Sequence, residues 1–420
     1  MEHIQLGDGI NLYLYETSQF KTITTKVFVQ EELSKDKVSA TALIPMILRR
    51  GTKSTPTTLE LARKMEELYG SAIDADIIKI GEKQIIEFYF DMVSPKLLPN
   101  GEQILAEGLR TFGELILDPV REGQGFNQQY FAQEQFNLKN LVEGLINEKR
   151  SYAYQRALQH MCKDEPHGIY KYGDTQQIKE LVNEEVFEHY QQLIRSNPVD
   201  IFIVGEGISQ IPELIKEWSW HRSNLRQLRP AIVKDAGQVQ EVFETRDVQQ
   251  GILVMGYRAN QNYLDPNYYS LVVANAILGV FPHSKLFINV RERASLAYYV
   301  GSSLDGSKGI ITISAGIDPS QYDKAVEIIN AQIGEMQAGK ITQDELERTK
   351  IGLISGMQTM ADNPASIIDR NVIGVVHGQL RSLEEVIGEI EKVTLEQVQA
   401  AVNQIKLDTV YFLSGMRGDL

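Results

Sequence analysis

The same order of elements occurs twice in this 420-residue chain, and the repeat limits the possible folds more than any single motif does. Lys21–Gln30 (KTITTKVFVQ) is rich in β-branched residues and reads as a strand. Shifted by 225 residues it falls on Arg246–Met255, where DVQQGILVM is again strand-like. The apolar, helix-like run Val38–Arg50 (VSATALIPMILRR) falls on Tyr263–Asn275, and ARKMEELYGSAIDAD falls on FINVRERASLAYYV with Gly70 over Ser295. Later the shift drops to 211, where LVNEEVFEHYQQLI matches KVTLEQVQAAVNQI, and VDIFIVG matches DTVYFLSG about 210 residues on. The first copy therefore carries extra residues, expected between Pro95 and Gly125 and around Asp164–Gly173.

Such a repeat predicts an α+β protein of two homologous domains, 1–222 and 241–420, each an antiparallel-rich sheet covered by helices on one face. The linker is expected over Ser223–Gln240, which has mixed charge and no apolar periodicity. A net charge of −14 leaves no basic excess for binding a nucleic-acid backbone. The most apolar run, Tyr268–Phe281, is broken by Asn275 and falls short of the ~20 residues needed to span a bilayer, so no membrane partner is expected. The single cysteine, Cys162, excludes an intrachain disulfide and fits a reducing compartment. The start, MEHIQLGDGINLYLYETSQFKT, lacks a basic region followed by an apolar one, and a cytoplasmic location is expected.

Chemistry concentrates in Leu286–Val300 (LFINVRERASLAYYV). Leu286, Phe287 and Val290 have helical spacing and lead into Arg291, Glu292 and Arg293; after Ala294-Ser295 the pattern becomes that of a strand. A helix that feeds a strand at once can combine the guanidinium fork of Arg291 with the phenol of Tyr298, donors suited to a peptide carbonyl or oxyanion. The plain alternative is a solvated helix-end cation and a half-buried strand aromatic. The seven histidines (His3, His160, His167, His189, His221, His283, His377) form neither H-x-x-E-H nor H-E-x-x-H, and Cys162 has no partnering motif.

On SKLFINVRERASLAY, RRGTKSTPTTLELARKMEELYG and DIFIVG, the chain resembles the pitrilysin/insulinase-like (M16) zinc metallopeptidases over nearly its whole length, with LuxS/MPP-like metallohydrolase domains. The resemblance implies that Arg291 and Tyr298 contact substrate. It also implies an inverted zinc motif, H-x-x-E-H, on the helix before Gly51-Thr52, with two histidine ligands and a glutamate base. Those positions hold Ala42, Pro45 and Met46; the third ligand, seven residues beyond Glu134, falls near Leu141, with Glu143 close by. Pro45 is expected to kink or end its helix.

By resemblance, this is a non-catalytic bacterial member that binds no metal itself. Zinc would belong to a homologous H-x-x-E-H partner, the peptide or small protein substrate being held between the two chains, and a homodimer is possible when the chain is alone. The family also contains structural subunits of respiratory complexes and bacterial members associated with elongation factor P modification, the two alternatives to substrate binding. Short Leu278–Lys285 (LGVFPHSK) lacks the glycine-rich loop of some non-catalytic subunits, which argues against a presequence-receptor role.

Overall fold

Alternating side chains decide which face of each strand is buried, and in the computed structural model, which describes residues 1–415, they build two sheets. The first contains β1 (Glu2–Gly7), β2 (Ile10–Glu16), β3 (Thr22–Glu32), β4 (Ala72–Ile80), β5 (Lys83–Val93) and, after a short hairpin of β6 (Arg121–Glu122) and β7 (Gly125–Phe126), β8 (Val199–Gly205). Its order is β1-β2-β8-β3-β5-β4, with β2 and β8 parallel and every other pair antiparallel. Val27 and Val29 of β3, Ile86 and Phe88 of β5, and Ile201 and Ile203 of β8 enter one core with the helices. Those helices are α1 (Val38–Leu48), α2 (Thr58–Glu67), α3 (Gly101–Leu117) and α4 (Gln128–Gly144), followed, beyond α5 (Lys149–Met161), by α6 (Thr175–Glu180), α7 (Asn183–Ser196) and α8 (Ile211–Lys216).

The second sheet runs β11 (Ala297–Asp305), β12 (Ile310–Ile317), β10 (Gly251–Arg258), β13 (Lys406–Ser414), β9 (Gln240–Thr245). Leu253 and Met255, Ile311 and Ile313, Val410 and Phe412 face its helical layer. That layer contains α9 (Tyr268–Gly279), buried almost all round, then α10 (Tyr322–Gln337), α11 (Gln343–Met360), α13 (Leu383–Lys392) and α14 (Leu395–Asn403); α12 (Pro364–Val376) follows α11 in the chain but is not part of this layer. Capping boxes Ser382/Glu385 and Thr394/Gln397 start α13 and α14, as Thr57/Glu60 starts α2.

Both sheets share one order, with β4, β5, β3, β8 and β2 corresponding to β11, β12, β10, β13 and β9; in each, the last two strands are parallel. Pairing also refines the spacing. Val27 lies opposite Ile201, and Leu253 lies opposite Phe412. All four are core residues, so β3 corresponds to β10 at 226 residues and β8 to β13 at 211. The expected 225 would place Phe28 on Leu253 and turn the wrong face inward, because a slip of one residue exchanges the two faces of a strand.

The chain separates into two units, neither a continuous half. The first comprises Met1–Glu143, Ile169–Pro230 and Ala361–Ile373; the second comprises Gly144–Gly168, Ala231–Met360 and Gly374–Leu420. The linear division into 1–222 and 241–420 thus misplaces two helical segments, and each sheet has a helix on its second face. In the second unit, Ala153 and Ala157 of α5 pack on Ile252, Val254, Tyr411 and Leu413. In the first, Lys26 points away from the Val27 core and its Nζ lies 2.6 Å from Glu87 and 2.5 Å from Asp369 of α12. Two buried faces explain the continuous burial of β8 and β10, which an alternating pattern would not give.

Candidate functional site

Helix α1 carries Ala42, Pro45 and Met46, the positions at which the resemblance places the zinc motif. Ala42 is fully buried, Pro45 is buried and Met46 packs at the margin of the core. Pro45 does not end the helix, which runs on to Leu48, with the Arg49 N–H donating to the Pro45 carbonyl at 3.2 Å. The proline removes only the bond that an N–H at position 45 would have given to the Thr41 carbonyl. The apolar environment holds the remaining turns in place.

On α4, Leu141 is 40% exposed, and Glu143 pairs with Lys139 at 3.4 Å. Glu134 is buried and already occupied: Arg50 Nε donates to its Oε1 at 2.5 Å and Asn137 Nδ2 to its Oε2 at 3.1 Å. Sequence reasoning did not find this Arg50–Glu134 pair, because nothing in the spacing couples residues 84 apart. His189 of α7 lies 2.8 Å from Thr41 Oγ1 of α1, and burial pushes its pKa down to about 4, which favours the neutral imidazole. Among the described residues there is no group of three or more His, Cys, Asp or Glu able to hold a metal ion. Burial, reinforced by Glu165, pushes the Cys162 thiol up to about 12, which makes it a poor nucleophile.

In the second unit, Arg291 and Tyr298 occupy a run of irregular backbone. Phe287–Arg293 is a π-helix, with the Ala294 N–H donating five residues back to Asn289 at 3.3 Å. Ser295 then takes a left-handed conformation (φ 52°), and the Leu296 N–H reaches back to the Val290 carbonyl at 3.1 Å. Next, the β11–β12 register slips between Ala297, opposite Ile317, and Tyr299, opposite Gly316. Tyr298 is therefore the extra residue of a β-bulge, a device that re-aims a side chain. It is 76% exposed and sits on an edge strand that pairs only with β12. Arg291 is exposed, its guanidinium 4.8 Å over the Phe287 ring. Arg293 is tied to its own helix, donating to Asn289 Oδ1 at 3.0 Å. The segment therefore displays the Arg291 guanidinium and the Tyr298 phenol at the surface, with the exposed carboxylate of Glu292 beside the former. Phe287 as the platform for Arg291 went unrecognised, although its i, i+4 spacing carries the signal.

The sequence profile described as "Peptidase M16 inactive domain" matches residues 180–353. "Probable inactive metalloprotease YmfF" of Bacillus subtilis (strain 168) is 34% identical over 412 residues, covering 98% of this chain and 97% of that protein. The "Uncharacterized zinc protease YmxG" of the same organism is 28% identical over 169 residues, 40% of this chain and 41% of its own length. Among solved structures, a conserved protein from Enterococcus faecalis V583 superposes with a TM-score of 0.90 at 26% identity, covering 100% of this chain and 99% of that one.

Proposed function

The chain belongs to the M16 peptidase family as an inactive metalloprotease homologue, and from that premise we propose that it is the substrate-holding subunit of a two-chain zinc peptidase. Its partner is a homologue with an intact H-x-x-E-H motif, and its substrate is a peptide or small protein. The observation that carries this reading is Tyr298, displayed by a bulge at a sheet edge directly after the π-helix that holds Arg291. A chain that kept only its fold would have no need of three successive backbone irregularities at this segment, since each costs free energy. An extended peptide adding to the β11 edge would gain backbone hydrogen bonds, with Arg291 and Tyr298 donating to its carbonyls. The occurrence in one organism of an inactive relative and a relative described as a zinc protease supports a division of labour between chains.

The test is peptide cleavage by this chain mixed with an H-x-x-E-H homologue from the same genome, with complex formation followed by size-exclusion chromatography. A charge-assisted hydrogen bond to substrate makes Arg291→Ala cost roughly ten- to a hundredfold in kcat/KM, and Tyr298→Phe less. Arg293→Ala, whose guanidinium is engaged within its own helix, leaves cleavage unchanged. If the complex forms and cleaves equally well with Arg291→Ala and Tyr298→Phe, the pair is structural and the chain is a scaffold.

A further inference from the structure

The first unit contains a groove of about 590 Å³ remote in sequence from Arg291 and Tyr298. Its walls are the loop after α1, the loop between α3 and β6, α7, and the segment after α8. Lys53, Arg121, Arg195 and His221 converge on it with one carboxylate, Asp118. This is a local reversal of charge in a chain with 56 acidic and 42 basic residues. Among the described residues, none of these four side chains has a carboxylate within ion-pair distance, whereas cations elsewhere in the unit, such as Lys26, Arg50 and Arg226, do.

The floor is apolar and fixed. Phe187 and Tyr190 line the groove although each is only 4% exposed. Phe187 is held edge-on to Phe126 with centroids 4.9 Å apart, and the Tyr190 hydroxyl donates to the Ile116 carbonyl at 2.7 Å. Leu117 and Ile194 extend this surface. The guanidinium of Arg121 lies 4.6 Å over the Phe187 ring, a contact through its face that sets its position and does not use its N–H edge. At the other wall, the Lys53 N–H donates to the Asp118 carbonyl at 2.9 Å, and Thr52 bridges to Pro119, so both loops are anchored. The volume falls within the ~300–1,000 Å³ of small-molecule sites, and a few polar groups around an apolar base is their usual composition.

We propose that this groove binds a small amphiphilic anion, a carboxylate or phosphate carried on an aromatic or acyl body. Arg121, Arg195 and Lys53 receive the charged end, and Phe187, Leu117 and Ile194 receive the body. The site is independent of Arg291 and Tyr298, so its failure and the failure of the peptidase reading are separate results.

The experiment is calorimetric titration of the full chain with 4-phenylbutyrate, phenyl phosphate and the neutral 4-phenylbutanol, with inorganic phosphate as the headgroup alone. Both aromatic anions should bind at least tenfold more tightly than the alcohol, and the ratio of their affinities tells a carboxylate site from a phosphate site. Inorganic phosphate should bind more weakly than phenyl phosphate, because it lacks the body. Arg121→Gln and Arg195→Gln should each weaken the anions about tenfold while leaving the alcohol unchanged, with the melting temperature confirming the fold. Lys216→Gln, an exposed cation of this unit already paired with Glu213, is the control and should have no effect. Equal binding of anion and alcohol, or anion affinities unmoved by either arginine substitution, overturns the proposal.

Discussion

Replacing Glu165 by alanine should destabilise the second unit severely. Glu165 lies just beyond α5, in the segment that the first half of the chain contributes to this unit. Its Oε1 is 2.6 Å from Arg258 Nη2 and its Oε2 is 2.8 Å from Lys308 Nζ. The Arg258 Nε is 2.8 Å from Asp408, and the four side chains are between 0 and 9% exposed. Without Glu165, Arg258 keeps Asp408 and the Met161 carbonyl, while Lys308, fully buried, loses a carboxylate 2.8 Å from its Nζ. Removing one partner from a buried ion network costs about 3–5 kcal/mol. At ~2–4 °C per kcal/mol for a unit of this size, melting should fall by roughly 6–20 °C.

Both tryptophans, Trp218 and Trp220, lie in the first unit, so their fluorescence reports that unit, whereas calorimetry reports both. Glu165→Ala should bring the calorimetric transition forward more than the fluorescence transition. The effect has a defined pH dependence. Burial raises the Glu165 carboxyl, but hydrogen bonds from Arg258 and Lys308 outweigh it and hold it below the ordinary carboxylate range. A depressed carboxylate contributes stability above its unfolded pKa of ~4.3 that is lost as pH falls through the folded value, so wild type and variant should converge on acidification. A calorimetric shift under 2 °C at neutral pH would refute the reasoning.

Restoring the motif by Ala42→His, Pro45→Glu and Met46→His should yield a destabilised protein and no zinc peptidase. Ala42 is fully buried, and overpacking a core costs about 1–3 kcal/mol; retained stoichiometric zinc by elemental analysis, with hydrolysis by the chain alone, would contradict this. At Glu244, burial raises the carboxyl, but hydrogen bonds from Tyr152, Arg156 and Tyr411 overcome it and hold the pKa at about 2. Its contribution is therefore present above ~4.3 and lost as pH falls toward 2, and Glu244→Gln should flatten that part of the melting-temperature profile. Thr394→Ala removes the side-chain cap of α14 and should cost about 1 kcal/mol, read as a shift in denaturant midpoint with an unchanged slope.

The sequence by itself determined the family, the α+β class and the doubled order of strands, because apolar periodicity and the segment around Arg291 are local patterns that need no tertiary contact to be read. The expectation that α1 binds no metal needed no tertiary contact either, since Ala42, Pro45 and Met46 lack imidazole and carboxylate wherever the helix lies. Of the kink or end expected at Pro45, the end does not occur, because propensity weighs a residue against water, whereas α1 is held by the core around it. No helix among the described residues is long and apolar enough to cross a membrane, as the interruption at Asn275 had suggested.

Only tertiary structure decided the register, the π-helix and the bulge at Tyr298. Each depends on a hydrogen bond between residues whose pairing the one-dimensional pattern leaves open by one position. The same holds for the segments exchanged between the halves. Ala153 and Ala157 mark a surface that can approach a sheet closely, but every strand has two faces, and which sheet receives a helix depends on what remains unburied there. The Glu165 network and the groove around Arg121 arise in the same way, from charges distant in sequence that meet only when the layers close.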